Sequence, residues 1–250
     1  MDGLDAASYG EGFADVYDEW YGEVPDLDGT LDSVVALANG GPVLELGIGT
    51  GRLALPLAAR GVEVHGVDAS PAMVDRLRAK PGGGAIPVTI GDFADVQPSV
   101  PGGFSVILAA YNTLFNLTTA DAQQRCLANA ARRLRRGGVV VVEAFVPSPD
   151  PDEIDSQVTP STIEATRVVL HVTRRNPTTQ TVEGSVVSIT EEGIRLRPWQ
   201  IRYAAPAELD TMAAAAGLTL AKRSAGWRDE PFHGESSTHI SVYRRAGPGS

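Results

Sequence analysis

The chain has 250 residues, of which 43% are hydrophobic and 21% charged, a composition that suits one α/β domain with a large core. Its formal net charge of −10 argues against binding to nucleic acid or to an anionic membrane surface, because both rely on clustered Lys and Arg. The one cysteine, Cys126, excludes an internal disulfide. Since we also find no signal peptide and no apolar membrane span, we expect a cytoplasmic protein.

Residues 1–40 are predicted to form a helical cap. Phe13, Val16, Tyr17 and Trp20 recur at helical spacing. A second helix follows and ends at the glycines 40–41.

Between residues 42 and 146, short apolar segments and amphipathic segments alternate strictly. The predicted strands cover residues 43–46, 62–68, 86–92, 104–111 and 139–145. The predicted helices between them cover residues 53–61, 70–80 and 120–138. This alternation predicts an α/β fold with a Rossmann-like, mostly parallel sheet and helices on both faces.

The alternation stops after residue 146. Residues 147–160 contain four prolines and four acids, which predicts a loop, and we expect this loop to be a lid. Three β-rich runs, 162–175, 181–190 and 194–204, are separated by short turns and predict a three-stranded antiparallel insert over the active site. A helix over 205–217 and strands over 218–227 and 239–245 then complete a seven-stranded sheet, so residues 1–250 are predicted to form a single domain.

The most informative segment is the glycine-rich turn that follows the first strand. Gly47, Gly49 and Gly51 have the spacing G-x-G-x-G, whereas dinucleotide-binding folds carry G-x-G-x-x-G. Glu45 stands two residues before the first glycine, where its carboxylate would repel a pyrophosphate but would attract a ligand with an ammonium group. Asp68 ends the second strand, where an acid can accept hydrogen bonds from ribose hydroxyls.

In these segments the sequence resembles the class I methyltransferases that use S-adenosylmethionine (SAM). The matching stretches are VLELGIGTGRLALPLAARGVEVHGVDASPAMV, GDFADV, FSVILAAYNTLFNL and LRRGGVVVVEAF, within residues 43–145. The resemblance implies SAM as cofactor, S-adenosylhomocysteine as product, and the strand order 3-2-1-4-5-7-6 with the last strand antiparallel.

The resemblance also implies a role for individual residues at the methionine end of SAM. Gly47, Gly49 and Gly51 would pass under the methionine part, Glu45 would hold its amino group, and Arg52 would reach its carboxylate.

At the nucleoside end, the resemblance implies that Asp68 binds the ribose. The other expected cofactor contacts are Ala69, Met73, Asp92, Phe93 and Ala109. Simpler interpretations stay open: the glycines would merely shape a tight turn, Met73 would be helix core, and Asp92 would cap a turn with Asp95.

Residues 147–245 resemble small-molecule methyltransferases of natural-product pathways, including amino-sugar N-methyltransferases. The ending GWRDEPFHGESSTHISVYRR also resembles peptide α-N-methyltransferases. These resemblances leave the acceptor open.

The acceptor and catalytic residues are expected on loops at the carboxyl edge of the sheet. His233 is the preferred general base, because its class of pKa suits neutral pH, and Glu143 and Tyr111 are further catalytic candidates. His65, His171 and His239 lie in or at strands and are interpreted as structural. The expected acceptor-binding residues are Tyr17, Tyr21, Asn112, Phe115, Trp227 and Phe232. One cysteine and no suitably spaced His pair predict no metal site.

The favoured function is methyl transfer to a hydroxyl or amine of a small molecule, with this acceptor as the expected partner. The alternatives are a peptide N-terminal methyltransferase and a SAM-binding subunit without activity. A homodimer is left open. An NAD-dependent oxidoreductase lacks support because the dinucleotide glycine spacing is absent. A DNA base methyltransferase would carry Asn/Asp-Pro-Pro-aromatic where this chain has Tyr111-Asn112-Thr113-Leu114.

Overall fold

The computed structural model describes residues 3–96, 98–148 and 156–245. Its helices are α1 (Ser8–Phe13), α2 (Tyr17–Tyr21), α3 (Leu27–Ala38), α4 (Ala54–Ala59), α5 (Pro71–Ala79), α6 (Ala120–Arg133) and α7 (Pro206–Ala215). Its first five strands are β1 (Val43–Leu46), β2 (Val64–Asp68), β3 (Val88–Ile90), β4 (Phe104–Ala109) and β5 (Leu134–Phe145). The later strands are β6 (Ser156–Ile163), β7 (Arg167–Asn176), β8 (Thr181–Thr190), β9 (Gly193–Arg202), β10 (Leu218–Ser224) and β11 (Thr238–Arg245).

The predicted seven-stranded, mostly parallel sheet is confirmed. Its strand order is β3-β2-β1-β4-β5-β11-β10, which matches the expected order 3-2-1-4-5-7-6. The last strand, β11, runs antiparallel to both of its neighbours. Two hydrophobic clusters cover the two faces of this sheet, and they share the fully buried strands β1 and β4.

Several predicted element boundaries were wrong. The cap contains two short helices before α3, because the chain leaves the helix at residues 14–16. Helix α6 ends at Arg133 rather than continuing to residue 138, since Leu134 adopts an extended conformation and starts β5. Strand β4 ends at Ala109, and Tyr111 and Asn112 then adopt positive φ angles of 50° and 64°.

The insert differs more strongly from the prediction, because it has four strands rather than three. The extra strand, β6, includes residues 156–160, which we predicted to be part of a lid loop. Pro160 is tolerated there because β6 is an edge strand and the register shifts between Pro160 and Thr162. The remainder of the predicted lid at residues 149–155 lies outside the described residues.

The inner face of this insert packs on the cap. Phe13 and Ala14 form a cluster with Val169 and Val186 of the insert. Arg197, only 4% exposed, donates to Asp15 over 2.9 Å, and its guanidinium lies 5.1 Å from the centroid of the nearest Trp20 ring. The cap is therefore held between the insert and the sheet.

A buried polar cluster connects α7, β10 and β11. Arg223 forms an ion pair with Asp210, and its Nε donates to Ser241 over 2.8 Å. Ser241 also hydrogen-bonds to His239, whose side chain is fully buried. Burial, together with the nearby Arg223 charge, lowers the pKa of His239 to about 4, while Asp210 opposes this shift.

His239 should therefore make the protein less stable in mild acid. In the unfolded chain the pKa of His239 is about 6.5. Between pH 6.5 and 4 its imidazole is therefore protonated in the unfolded state but remains neutral in the folded state. The free energy of unfolding should thus fall by about 3 kcal/mol as the pH drops through this range.

We expect H239Q, which keeps a partner for Ser241 without titrating, to show a smaller fall in urea unfolding experiments. H65Q is the matched control and should retain the wild-type slope. An unchanged slope in H239Q would contradict this explanation.

Candidate active site

The glycine-rich turn joins β1 to α4 at the carboxyl edge of the sheet. Gly47 has a φ of 65°, and a Cβ atom at this position would come within 2.7 Å of Thr113 Cγ2. Only glycine fits there without strain, and its small size keeps the backbone open towards the cavity. Gly47 and Gly49 line the cavity, whereas Gly51 packs against Leu77.

Glu45 lies beneath this turn and is only 5% exposed. Its Oε2 atom is buried and has no hydrogen-bond partner among the described residues. Burial raises the pKa of Glu45 to about 8, an effect that Arg52 opposes and Asp68 reinforces. A buried carboxyl group with a free oxygen at the cavity wall is suited to receive an ammonium group.

Asp68 ends β2, as predicted, and its carboxylate is tied to the backbone. Its two oxygens accept hydrogen bonds from the amide of Gly49 over 2.7 Å and from the amide of Ser70 over 2.9 Å. Burial is the main cause that raises the pKa of Asp68, although these amides oppose it. Asp68 therefore fixes the glycine turn relative to β2 while it lines the cavity.

Arg52 brings a positive charge to the same wall. Its guanidinium lies 4.1 Å from the ring centroid of Tyr111 and 5.6 Å from that of Tyr17. It also donates to the backbone oxygen of Tyr21 over 3.0 Å. These contacts orient the guanidinium at the cavity, where it can pair with a carboxylate.

The predicted nucleoside contacts also meet at this cavity, which has a volume of about 290 Å³. Ala69, Met73, Asp92 and Phe93 line it together with Asp68. Asp92 additionally accepts a hydrogen bond from the amide of Ala94 over 2.8 Å, so it both lines the cavity and caps a turn. Ala109 is buried within β4, and its neighbour Ala110 lines the cavity instead.

The cap and the insert form the opposite wall. Tyr17, Tyr21 and Asn112 line the cavity, as predicted. Sequence reasoning missed several further lining residues, among them Tyr9, Phe13, His171, Trp199 and Ile201. The strand alternation that puts Val169 on the inner face of β7 also puts His171 there, but the sequence did not show which face of β7 covers the cavity.

Two carboxylates hold the cap in place over the turn. Glu11 accepts hydrogen bonds from the hydroxyl of Ser70 over 2.7 Å and from the amide of Ala72 over 3.1 Å. Asp18 accepts from the hydroxyl of Thr50 over 2.6 Å and pairs with Lys80 over 2.8 Å.

Glu143 does not line the cavity but supports a residue that does. Its carboxylate accepts hydrogen bonds from the amide of Tyr111 over 2.9 Å and from the indole of Trp227 over 3.1 Å. Tyr111 lines the cavity, and burial raises its pKa to about 12, so its hydroxyl stays protonated at neutral pH. Glu143, predicted as a catalytic candidate, therefore holds the backbone of Tyr111 in place and does not itself reach the cavity.

The structure does not bring four other predicted residues to the cavity. Trp227 is buried against Glu143, and Phe115 is buried against Phe145. Phe232 packs near Arg223, and His233 is exposed with its backbone amide bonded to Ser236. His233 was predicted from its place on a loop, but this loop closes on itself through that contact.

No described helix is long and apolar enough to cross a membrane. Among residues 3–96, 98–148 and 156–245, no group of three or more His, Cys, Asp or Glu side chains could hold a metal ion. The donor set of the cavity instead fits SAM: a buried carboxyl for the amino group, an arginine for the carboxylate, and an acid beside the glycine turn for the ribose.

Comparisons with known proteins agree with this geometry. A family described as "Methyltransferase domain" matches residues 43–138. The structure of the CcbJ methyltransferase from Streptomyces caelestis is 42% identical, with a TM-score of 0.90, and the match covers 98% of this chain and 100% of that one.

Two further relatives differ more in sequence. The cypemycin N-terminal methyltransferase from a Streptomyces species is 29% identical, over 92% of this chain and 98% of its own length. The SAM-bound structure of CalS10, an amino pentose methyltransferase from Micromonospora echinaspora, is 23% identical, with a TM-score of 0.67, over 91% of this chain and 96% of that one.

The unusual protonation of Glu45 predicts that SAM binding releases a proton. At pH 7 a carboxyl group with a pKa of about 8 is mostly protonated, whereas an ammonium ligand favours its ionised form. Calorimetry at pH 7, in buffers with different ionisation enthalpies, should report release of close to one proton.

E45Q should abolish this release and weaken SAM binding at least about tenfold, because a charge-assisted hydrogen bond is lost. E63Q, at an exposed carboxylate, is the control and should behave like the wild type. Proton release that persists in E45Q would assign it to another group.

Proposed function

This chain belongs to the SAM-dependent methyltransferases, and we propose that it methylates an amine of a small molecule in natural-product metabolism. The observation that carries the proposal is the composition of the wall opposite the glycine turn. There the cap and the insert present Tyr9, Phe13, Trp199 and Ile201, with His171 among them. A concave, mostly apolar surface with few polar groups suits a small acceptor.

The nitrogen as acceptor atom is supported by the named relatives. The sugar N-methyltransferase KedS8 from Streptoalloteichus sp. and the amino pentose methyltransferase CalS10, from calicheamicin biosynthesis, share the fold. An amine also needs less catalytic help than a hydroxyl, since its neutral form attacks without losing a proton first.

Bound SAM would supply an activated methyl group on a sulfonium. Glu45 and Arg52 would bind the amino and carboxylate groups of its methionine part, and Asp68 would bind its ribose. The aromatic residues of the cap and the insert would exclude water and orient the acceptor nitrogen towards the methyl carbon. Such positioning of two reactants is worth up to roughly 7–11 kcal/mol of the barrier.

His171 would manage the proton of the acceptor. It is the one histidine among the described residues that line the cavity, and its side chain is half-buried there. An amine arrives largely as ammonium at neutral pH, so a base at the acceptor can take up its proton and expose the lone pair.

A peptide with a free N-terminal amine is the second candidate acceptor. The observation in its favour is the cypemycin N-terminal methyltransferase, because that relative matches over nearly its whole length.

The two histidines provide a direct test of the catalytic assignment. We expect H171Q to lower kcat about 100-fold with a smaller change in KM, since general-base catalysis contributes about 100-fold or more. H233Q, on the exposed loop, should leave both constants unchanged. A larger effect of H233Q would restore the loop histidine as the base.

The acceptor class is best tested with matched compounds and SAM that carries a labelled methyl group. The panel should contain small amines, their hydroxyl counterparts, their N-acetylated forms, and short peptides with free and acetylated N-termini. We expect label only on compounds with a free amine, and faster transfer to the small amines than to the peptides. Faster transfer to peptides would favour the second candidate, while SAM binding without any transfer would indicate a subunit without activity.

A further inference from the structure

A second cavity, of about 160 Å³, adjoins the cavity at the glycine turn. It lies between the first residues of the cap, the last part of β9 and the beginning of α6. Six residues line both cavities, namely Ala6, Tyr9, Asp92, Asn116, Leu117 and Trp199. The two cavities therefore meet along these six residues, so that a ligand in the first cavity can extend into the second.

Two aromatic side chains are held in place at the boundary between the cavities. Trp199 pairs with Gly184 of β8, and a Cβ atom at Gly184 would overlap the Cε2 and Cζ2 atoms of the indole. Because Gly184 has no side chain, the indole can lie directly against the insert and leave space on its other side. Tyr9 stacks on Phe13, with 4.7 Å between the ring centroids. A group that crosses the boundary would therefore meet aromatic surfaces of fixed position.

Asp92 indicates which end of the cofactor the second cavity adjoins. In the proposed binding mode of SAM, on which this inference rests, the ribose lies at Asp68, which ends β2. Asp92 follows β3, the neighbour of β2, so the adenine lies beside Asp92. A carboxylate only accepts hydrogen bonds, and the 6-amino group is the donor on the adenine base. This amino group should therefore face Asp92, at the boundary between the two cavities.

We infer that the second cavity is a subsite for substituents on the 6-amino nitrogen of the cofactor's adenine. This nitrogen carries two hydrogen atoms, and one of them is enough for the hydrogen bond to Asp92. A substituent in place of the other hydrogen atom enters the second cavity, because Asp92 lines that cavity as well. The protein should therefore bind cofactor derivatives with one added group at this nitrogen.

The size and charge of the second cavity favour an uncharged aromatic group. A cavity of about 150 Å³ in a protein interior can hold benzene, so 160 Å³ is sufficient for the ring of a benzyl group. Asp5 and Asp92 line the cavity, while no Lys, Arg or His is among its described lining residues, which disfavours an anionic group. The residues that line only the second cavity are Leu4, Asp5, Ser8, Thr118, Ala122 and Gln200.

The test measures equilibrium binding to the full-length protein by calorimetry, so it needs no methyl acceptor. The ligands are S-adenosylhomocysteine and three derivatives, whose 6-amino group carries a benzyl group, a 4-carboxybenzyl group or two methyl groups. We expect the wild type to bind the benzyl derivative no more weakly than the parent compound. The carboxybenzyl derivative should bind more weakly than the benzyl derivative because of Asp5 and Asp92. The dimethyl derivative should bind at least about tenfold more weakly than the parent compound, since it has no hydrogen atom for Asp92.

A variant that narrows only the second cavity provides the decisive comparison. Ala122 lies in the first turn of α6 and does not line the first cavity, and leucine is well tolerated in helices. A122L should weaken binding of the benzyl derivative at least about tenfold through steric overlap, and should leave the affinity for the parent compound unchanged. A120L, at an exposed alanine of the same helix, is the matched control and should bind both ligands like the wild type.

Three results would overturn the inference. The first is a wild type that binds the benzyl derivative at least about tenfold more weakly than the parent compound. The second is an A122L variant that binds both ligands like the wild type, and the third is a dimethyl derivative that binds as tightly as the parent compound.

E45Q distinguishes these results from a failure of the proposed binding mode. Glu45 would act at the methionine end of the ligand, so E45Q should weaken the parent compound and the benzyl derivative by the same factor. If E45Q weakened neither ligand, the proposed orientation of the cofactor would be wrong, and the inference with it.

Discussion

The burial of the Glu45 carboxyl group is the interaction on which the organisation of the site depends. A carboxyl group near the end of a buried strand, with one oxygen that has no hydrogen-bond partner among the described residues, is costly unless a ligand compensates it. The groups around it line the same cavity: Arg52 opposes the rise in its pKa, and Asp68 fixes the turn above it. The sheet supplies rigid positions for all three, since they end or follow its central strands.

A cavity at the sheet edge also requires a second wall, which the cap and the insert provide. Short helices such as α1 and α2 are not stable alone, so the cap depends on tertiary contacts. Glu11 and Asp18 tie it to the cofactor side, while Asp15 ties it to Arg197 of the insert. The cap thus couples the two sides of the cavity, and an acceptor would contact both the cap and the insert.

The sheet and the cofactor wall could be predicted from the sequence because their signals are local. Strands that alternate with helices fix the parallel sheet, and the glycine turn with Glu45 and Asp68 marks its functional edge. The acceptor wall could not be predicted, because it depends on how distant elements pack. Nothing in the composition of residues 156–160 reveals an edge strand, and the loop position of His233 says nothing about its direction. His171 could be identified as a cavity-lining residue only once the inner face of β7 was known.

In the proposed complex, the buried carboxyl group and the glycine turn hold SAM under a wall formed by the cap and the insert. A crystal structure with S-adenosylhomocysteine would show whether the ligand binds in this way. We expect the amino group of the ligand within hydrogen-bond distance of Glu45, its carboxylate at Arg52, its ribose at Asp68, and its sulfur facing His171 across the cavity. A ligand whose amino group points away from Glu45, or whose sulfur faces away from the insert, would contradict this expectation.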